Sequence, residues 1–319
     1  MNRKIFITGA AGFIGFHLAK HLHRMGCSVI GYDNFNPYYS PALKRARAAE
    51  LAKVGIGVIE GDICDAITLQ DAVAQYKPSH LVHLAAQAGV RHSLKQPHEY
   101  LRTNIDGFLN ILEICRHHLE IKLSYASSSS VYGHNRTVPF ATNDRTDNQA
   151  SLYGVTKKCN ELMATTYHNL FGISAIGLRF FTVYGPWGRP DMAYYSFAQA
   201  INDGIPIDLY NHGEMERDFT YIDDIVDGIA ATLNLPPQAA IFNLGNNQPE
   251  SLQKFVALLE KHLDKSAVCR FLPMQAGDVH TTYADISSSN QQLNFYPKIS
   301  LDEGLRRFVE WFQQYRHKM

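Results

Sequence analysis

The stretch from Lys4 to Gly15 constrains this chain more than any other. Lys4-Ile5-Phe6-Ile7-Thr8 is an apolar run of strand character, Gly9, Gly12 and Gly15 follow at three-residue spacing, and residues 16–24 carry helical periodicity. The pattern predicts a strand, a tight turn and a helix. Gly9 lets the chain reverse, Gly12 lets bare backbone approach a pyrophosphate, and Gly15 lets the helix lie close to the strand. The leading N–H groups of that helix lack internal partners and sit at its partially positive end, which suits a dinucleotide's diphosphate. A ribose acceptor is expected roughly 20 residues further on, at the end of a second strand. Ser28-Val29-Ile30-Gly31-Tyr32-Asp33 supplies it, and the Asp33 carboxylate would repel a 2′-phosphate, which favours NAD over NADP.

Strand and helix patterns then alternate. A Pro/Asn loop after Asp33 leads to a basic helix over 43–53, a strand over 58–60, a helix over 67–76 and a buried strand at Leu81-Val82-His83-Leu84. A long amphipathic helix over 100–118, carrying Asn104, precedes a strand over 121–126, a helix over 151–170 stopped by Gly172, and a strand over 174–180. This alternation implies parallel pairing with right-handed crossovers: an α/β, Rossmann-type doubly wound parallel sheet. Asp62 stands just past a strand end, where it could accept from the adenine amino group with Ile63 packed on the ring. The small residues Ala85 and Ala86 leave room for a cofactor.

From about residue 181 the pattern breaks into short strands near Ile207 and Phe219 and helices over 222–233, 252–263 and 301–315. Because 319 residues exceed the usual single-domain size, the expectation is a dinucleotide-binding domain over 1–180 and a smaller mixed α/β C-terminal substrate lobe over 181–319, with segments free to cross between them. Lys plus Arg and Asp plus Glu both number 30 with no long run of one sign, which argues against a nucleic-acid or membrane-surface partner. Five scattered cysteines without Cys-x-x-Cys spacing suit reduced thiols in a cytoplasm, and the first apolar run is too short and glycine-rich for a signal peptide or membrane span. His17 and His21, four apart, and the adjacent His117 and His118 are not joined by a carboxylate or cysteine in ligand spacing, so no metal site is expected.

Tyr153 and Lys157 stand four apart on the helix over 151–170 and share a face. Bringing a phenol from pH 10 to about 7 takes roughly 4 kcal/mol. An ammonium about 4 to 5 Å away supplies on the order of 3 to 4 kcal/mol at an effective dielectric near 20. The pair is therefore expected to favour a phenolate, with Ser128 just beyond a strand end beside it.

With these pieces in order, the sequence resembles the extended short-chain dehydrogenase/reductase family over essentially its whole length, and within it the nucleotide-sugar 4-epimerases. The matching segments run from the glycine turn through Asp33-Asn34, Gly61-Asp62-Ile63, Leu84-Ala85-Ala86-Gln87, 127–133 and 153–157 to Arg217-Asp218-Phe219-Thr220-Tyr221. The resemblance implies Ser128, Tyr153 and Lys157 as the catalytic trio. It adds Phe13, Ile14, Asn34, Phe35, Leu84, Gln87, Asn104 and Phe180 to the NAD contacts, and Ser128, Ser129 and Tyr153 to the sugar contacts. In the dehydratase and decarboxylase relatives an acidic residue follows the catalytic hydroxyl; Ser129 and Ser130 stand there here, which favours simple epimerisation.

The run Leu178 to Ala193 is similar to that of UDP-glucuronate 4-epimerases, with Thr182 where galactose-type enzymes carry asparagine. Arg189 suits a C6 carboxylate, which it would hold through two parallel bonds, away from the geometry in which a 4-ketouronate loses carbon dioxide. Arg217 resembles the family's diphosphate-binding arginine and Asp278 its ribose-binding carboxylate, while Gln275 replaces a second arginine, leaving Arg270 or Arg91 for that contact. The implied partner is a UDP-sugar, and the implied assembly a homodimer through a four-helix bundle. Two rivals remain open: a 4-epimerase of UDP-N-acetylglucosamine or its uronate, and a dinucleotide sensor without turnover, against which Ser128, Tyr153 and Lys157 argue.

Overall fold

The computed structural model describes residues 3–274 and 280–315. The chain opens with β1 (Lys4–Thr8), α1 (Phe13–Arg24), β2 (Ser28–Asp33), α2 (Pro41–Ala52), β3 (Val58–Glu60), α3 (Ala66–Tyr76) and β4 (His80–His83). The expected long helix after β4 is broken into α4 (Pro97–Leu101), a π-helical turn (Arg102–Asp106) and α5 (Gly107–His117). The break has a side-chain cause: Asn160 Nδ2 donates to the Asn104 carbonyl at 2.6 Å, which competes with the regular helical ladder.

β5 (Lys122–Ser128), α6 (Leu152–Phe171) and β6 (Ser174–Phe180) complete the repeating pattern. Ser151 caps α6 by accepting from the Gly154 N–H, and Gly172 ends it in the left-handed region at φ +76. Past β6 come β7 (Thr182–Tyr184), α7 (Ala193–Asp203), β8 (Ile207–Tyr210), β9 (Glu216–Tyr221), α8 (Ile222–Thr232) and β10 (Ala239–Leu244). The remainder is β11 (Pro249–Ser251), α9 (Leu252–Leu263), β12 (Cys269–Leu272), β13 (Thr281–Thr282), α10 (Ser287–Leu293) and α11 (Leu301–Tyr315).

Seven strands form one parallel sheet in the order β10, β6, β5, β4, β1, β2, β3. The chain runs outward from β1 to β3 and returns to the other side at β4, so the switch point lies at the carboxyl ends of β1 and β4. Its strands are near-continuous apolar runs because both faces are covered. α3, α5 and α6 pack one face around Phe6, Phe108, Ile111 and Ala164, and α1 and α8 pack the other around Phe16, Leu18, Ile222 and Ile229.

β10 lies well beyond residue 180 and still closes the large sheet beside β6, so the chain crosses between the two regions more than once. The second region holds a four-stranded sheet, with β7 and β13 parallel and β11 antiparallel to β9, and a parallel pair of β8 and β12. β7 follows β6 after a single residue, which carries the substrate-side residues directly off the end of the large sheet.

Candidate active site

A cavity of about 370 Å³ runs from the β1–α1 turn, past the carboxyl ends of β2 and β4, to the end of β5 and the first turn of α6. Gly9, at φ +72, and Gly15 shape its floor: a Cβ on Gly9 would lie 2.7 Å from the Ala85 nitrogen, and one on Gly15 would lie 2.2 Å from the Gly9 carbonyl oxygen. A Cβ on Gly12 would meet that same oxygen at 2.9 Å, so the turn itself requires this glycine, apart from any ligand. α1 has no side-chain cap, and Phe13, Ile14 and Gly15, whose N–H groups begin the helix, line the cavity. The Asp33 carboxylate accepts from the N–H groups of Ala11 and Phe35 at 2.9 and 2.8 Å, which fixes it at the cavity's edge. This uncapped helix end, the glycine floor and the buried carboxylate are a donor and acceptor set that fits a dinucleotide.

Ser128, Tyr153 and Lys157 meet at the far end. Lys157 lies one turn beyond Tyr153 on α6 and donates from Nζ to the Ala126 carbonyl at 2.8 Å. Burial pushes its ammonium down to about 8. Burial also raises the Tyr153 phenol above its ordinary value, opposed by the hydrogen bond to Ser128 and the charge of Arg189. The phenolate expected from the Tyr–Lys spacing is therefore not favoured by this chain's own charges, because desolvation outweighs them. Ser128 sits at the last position of β5, and its Oγ accepts from the Ser130 N–H at 3.1 Å.

Asn34, Ile63, Leu84, Ala85, Ala86, Gln87, Ser129, Phe180, Thr182 and Arg189 also line the cavity. Four expected residues do not. Phe35 lies under the Arg45 guanidinium, 3.7 Å from its ring centre. Asp62 accepts from Cys64 N at 2.9 Å and pairs with Arg102 at 3.1 Å. Asn104 spends its amide on the Gln87 backbone and on Thr156 Oγ1, bridging β4's outgoing loop to α6. Arg217 donates to the carbonyls of Glu216 and His280. Gln275 and Asp278 lie outside the described residues.

The substrate side also holds residues that sequence reasoning passed over. Arg189 is gripped by Asp191, Nε to Oδ1 at 3.1 Å and Nη2 to Oδ2 at 2.5 Å, and Tyr38 Oη donates to the same carboxylate at 2.9 Å. Lys44 lines the cavity and donates to the Asn36 carbonyl at 2.8 Å; the basic character of its helix was its only sequence signal. Arg270 pairs with Asp208 at 2.7 Å, whereas the Arg91 guanidinium lies 5.9 Å from the Tyr210 ring centre on β8. The histidines have local partners: His17 bonds the Pro186 carbonyl and His21 faces Asp227. Among the described residues, no three His, Cys, Asp or Glu side chains gather as a metal site.

Residues 5–245 match the sequence model of the NAD dependent epimerase/dehydratase family. The chain belongs to that family. Within it, UDP-glucuronate 4-epimerase 4 of Arabidopsis thaliana is 46% identical over 329 residues, covering 98% of this chain and 75% of the plant protein. Protein CapI of Staphylococcus aureus is 44% identical, covering 99% of this chain and all of its own. Among solved structures, UDP-glucuronic acid 4-epimerase from Bacillus cereus, in complex with UDP-glucuronic acid and NAD, superposes with a TM-score of 0.91 at 34% identity, over 98% of this chain and 99% of that one. UDP-glucose 4-epimerase from Thermotoga maritima superposes with a TM-score of 0.89 at 28% identity, over 98% and 99% of the two chains. The family's parallel sheet is the one described above.

Proposed function

We propose that this chain catalyses the NAD-dependent interconversion of UDP-glucuronate and UDP-galacturonate at C4. The observation that carries this reading is that Arg189 and Thr182 share one cavity with Ser128, Tyr153 and Lys157. Matches to UDP-glucuronate 4-epimerases along nearly the whole chain support it. The N–H groups of 13–15, Asp33 and the small residues after β4 hold NAD, whose nicotinamide supplies a hydride acceptor and donor for C4.

Burial alone leaves Tyr153 a phenol, and the positive charge of a bound oxidised nicotinamide would favour the phenolate. In that form Tyr153 takes the C4 hydroxyl proton, Ser128 hydrogen-bonds the same oxygen, and Lys157 keeps its positive charge at neutral pH with Ala126 anchoring it. The resulting 4-keto sugar turns about its diphosphate link. Return of the proton from Tyr153, with hydride restored to the opposite face, inverts C4. Ser129 and Ser130 line the cavity without a carboxylate, so elimination lacks an acid and base there.

Asp191 occupies the Nε edge of Arg189, so the uronate carboxylate is received on the edge between its two amino groups, held away from the decarboxylating geometry. We assign the UDP diphosphate to Arg217, with Arg91, which reaches Tyr210 of the second lobe, as the better substitute for the arginine absent at 275. We place the dinucleotide half in residues 1–180 with β10 added, and the substrate lobe in the rest. Exposed Leu109, Val155 and Leu162 on α5 and α6 suit a homodimer, and we place the enzyme in the cytoplasm. Among the described residues, no helix is long and apolar enough to cross a membrane.

Proton NMR of the purified protein with UDP-glucuronate deuterated at C4 tests the reading, run beside UDP-glucose and UDP-N-acetylglucosamine. A galacto-configured uronate that keeps its deuterium is expected. An unchanged sugar, a pentose product, or inversion with label lost to water refutes it.

A further inference from the structure

Arg47, on α2, has no exposed surface. All five of its N–H groups are used. Nε and Nη2 donate to the Trp187 carbonyl at 3.0 and 2.5 Å, and Nη2 also to Gly188 O at 3.1 Å. Nη1 donates to Ala11 O at 3.0 Å and to Tyr39 Oη at 2.7 Å. None of these acceptors is a carboxylate, so the guanidinium serves as a fork whose prongs span two segments of chain. Ala11 belongs to the glycine turn beneath the dinucleotide site. Trp187 and Gly188 immediately precede Arg189.

The segment that Arg47 grips is one that would not keep its shape alone. Trp187 holds φ +59, in the left-handed region that a bulky residue rarely adopts. The clamp continues on either side: His17 of α1 bonds the Pro186 carbonyl at 2.8 Å, and the Arg189 N–H donates to Tyr194 Oη at 2.9 Å. The first two helices, α1 through His17 and α2 through Arg47, thus hold the carbonyls of 186–188 to the wall of the turn.

We propose that Arg47 is a positioning residue for Arg189, tying the loop that reads the sugar's C6 carboxylate to the glycine turn that carries the cofactor. This rests on the uronate reading above. The geometry of a hydride exchange at C4 and a carboxylate clamp at C6 must be held together within a fraction of an ångström to be productive, and Arg47 hydrogen-bonds both supports directly. A lysine keeps the charge but has no planar fork with which to bridge three peptide carbonyls on two segments.

The test compares the full-length wild-type chain with Arg47→Lys and Arg47→Met, at saturating NAD, by calorimetric titration with UDP-glucuronate and UDP-glucose, with folding checked by thermal unfolding. The wild type is expected to prefer the uronate. In the folded variants that preference should fall by about tenfold or more while affinity for UDP-glucose stays within about threefold. A folded variant that keeps the wild-type preference overturns the proposal, and so does failure of both variants to fold, since Arg47 would then be a core residue only. A wild type without uronate preference is a separate result: it removes the reading of the site itself, whatever the variants do.

Discussion

At the residue scale, burial shifts both titratable members of the trio, opposed at Tyr153 by the Ser128 hydrogen bond and the Arg189 charge. Lys157 ionises near 8 in the folded protein against an ordinary value of 10.5, so its burial costs about 3 kcal/mol wherever the unfolded lysine is fully protonated. The unfolded chain binds this proton more tightly, and stability must therefore rise with pH between about 8 and 10.5. Chemical denaturation of NAD-free protein from pH 7 to 10 should show that rise, and Lys157→Met should remove it while being more stable at pH 7. An identical slope in the variant would contradict the assignment. Arg189→Ala makes a different prediction. Without the guanidinium the 4-ketouronate is free to align its C5–C6 bond for decarboxylation, so UDP-glucuronate affinity should fall by about tenfold or more and carbon dioxide should appear. Unchanged affinity with no gas evolved would leave Arg189 a loop residue.

At the element scale, α6 is set against the ends of β5 and β6 by one buried network. Glu161 stands two turns past Tyr153 on the same face. Its carboxylate accepts from Ser127 Oγ at 2.7 Å and from Arg179 Nε and Nη2 at 2.8 and 2.9 Å. Ser127 adjoins Ser128, and Arg179 adjoins Phe180, so the network aligns the helix bearing Tyr153 and Lys157 with both strands that face it. Glu161→Leu would strand a buried guanidinium, at a cost of about 3–5 kcal/mol. Glu161→Leu with Arg179→Met should recover most of that cost, as read from denaturant midpoints. Equal destabilisation in the single and double variants would show that packing, rather than charge pairing, holds α6 in place.

At the scale of the whole molecule, the exposed apolar side chains of α5 and α6 predict the assembly. Leu162 is 57% exposed and Val155 and Leu109 are each 39% exposed, on helices whose other faces are core. A second copy of the chain covering them would place two helices from each subunit together. Sedimentation should give a dimer for the wild type and a monomer for Leu162→Glu with its fold retained. A monomeric wild type would exclude this interface.

The residues legible in the sequence are those whose geometry is local. The glycine spacing, Asp33 at a strand end and the four-residue step from Tyr153 to Lys157 each follow from the repeat of one strand or helix, so periodicity alone places them on a common edge or face. Other features depend on approach between segments remote in sequence. Arg47 meets Trp187 across 140 residues, Tyr38 meets Asp191 across 153, and Asn104 turns from the cavity toward Gln87 and Thr156. The rise of the Tyr153 phenol belongs to the same class, because desolvation depends on what covers a side chain in three dimensions. The chemistry was thus written locally in the chain, while the clamps that aim it and the charge states it starts from were decided only by tertiary packing.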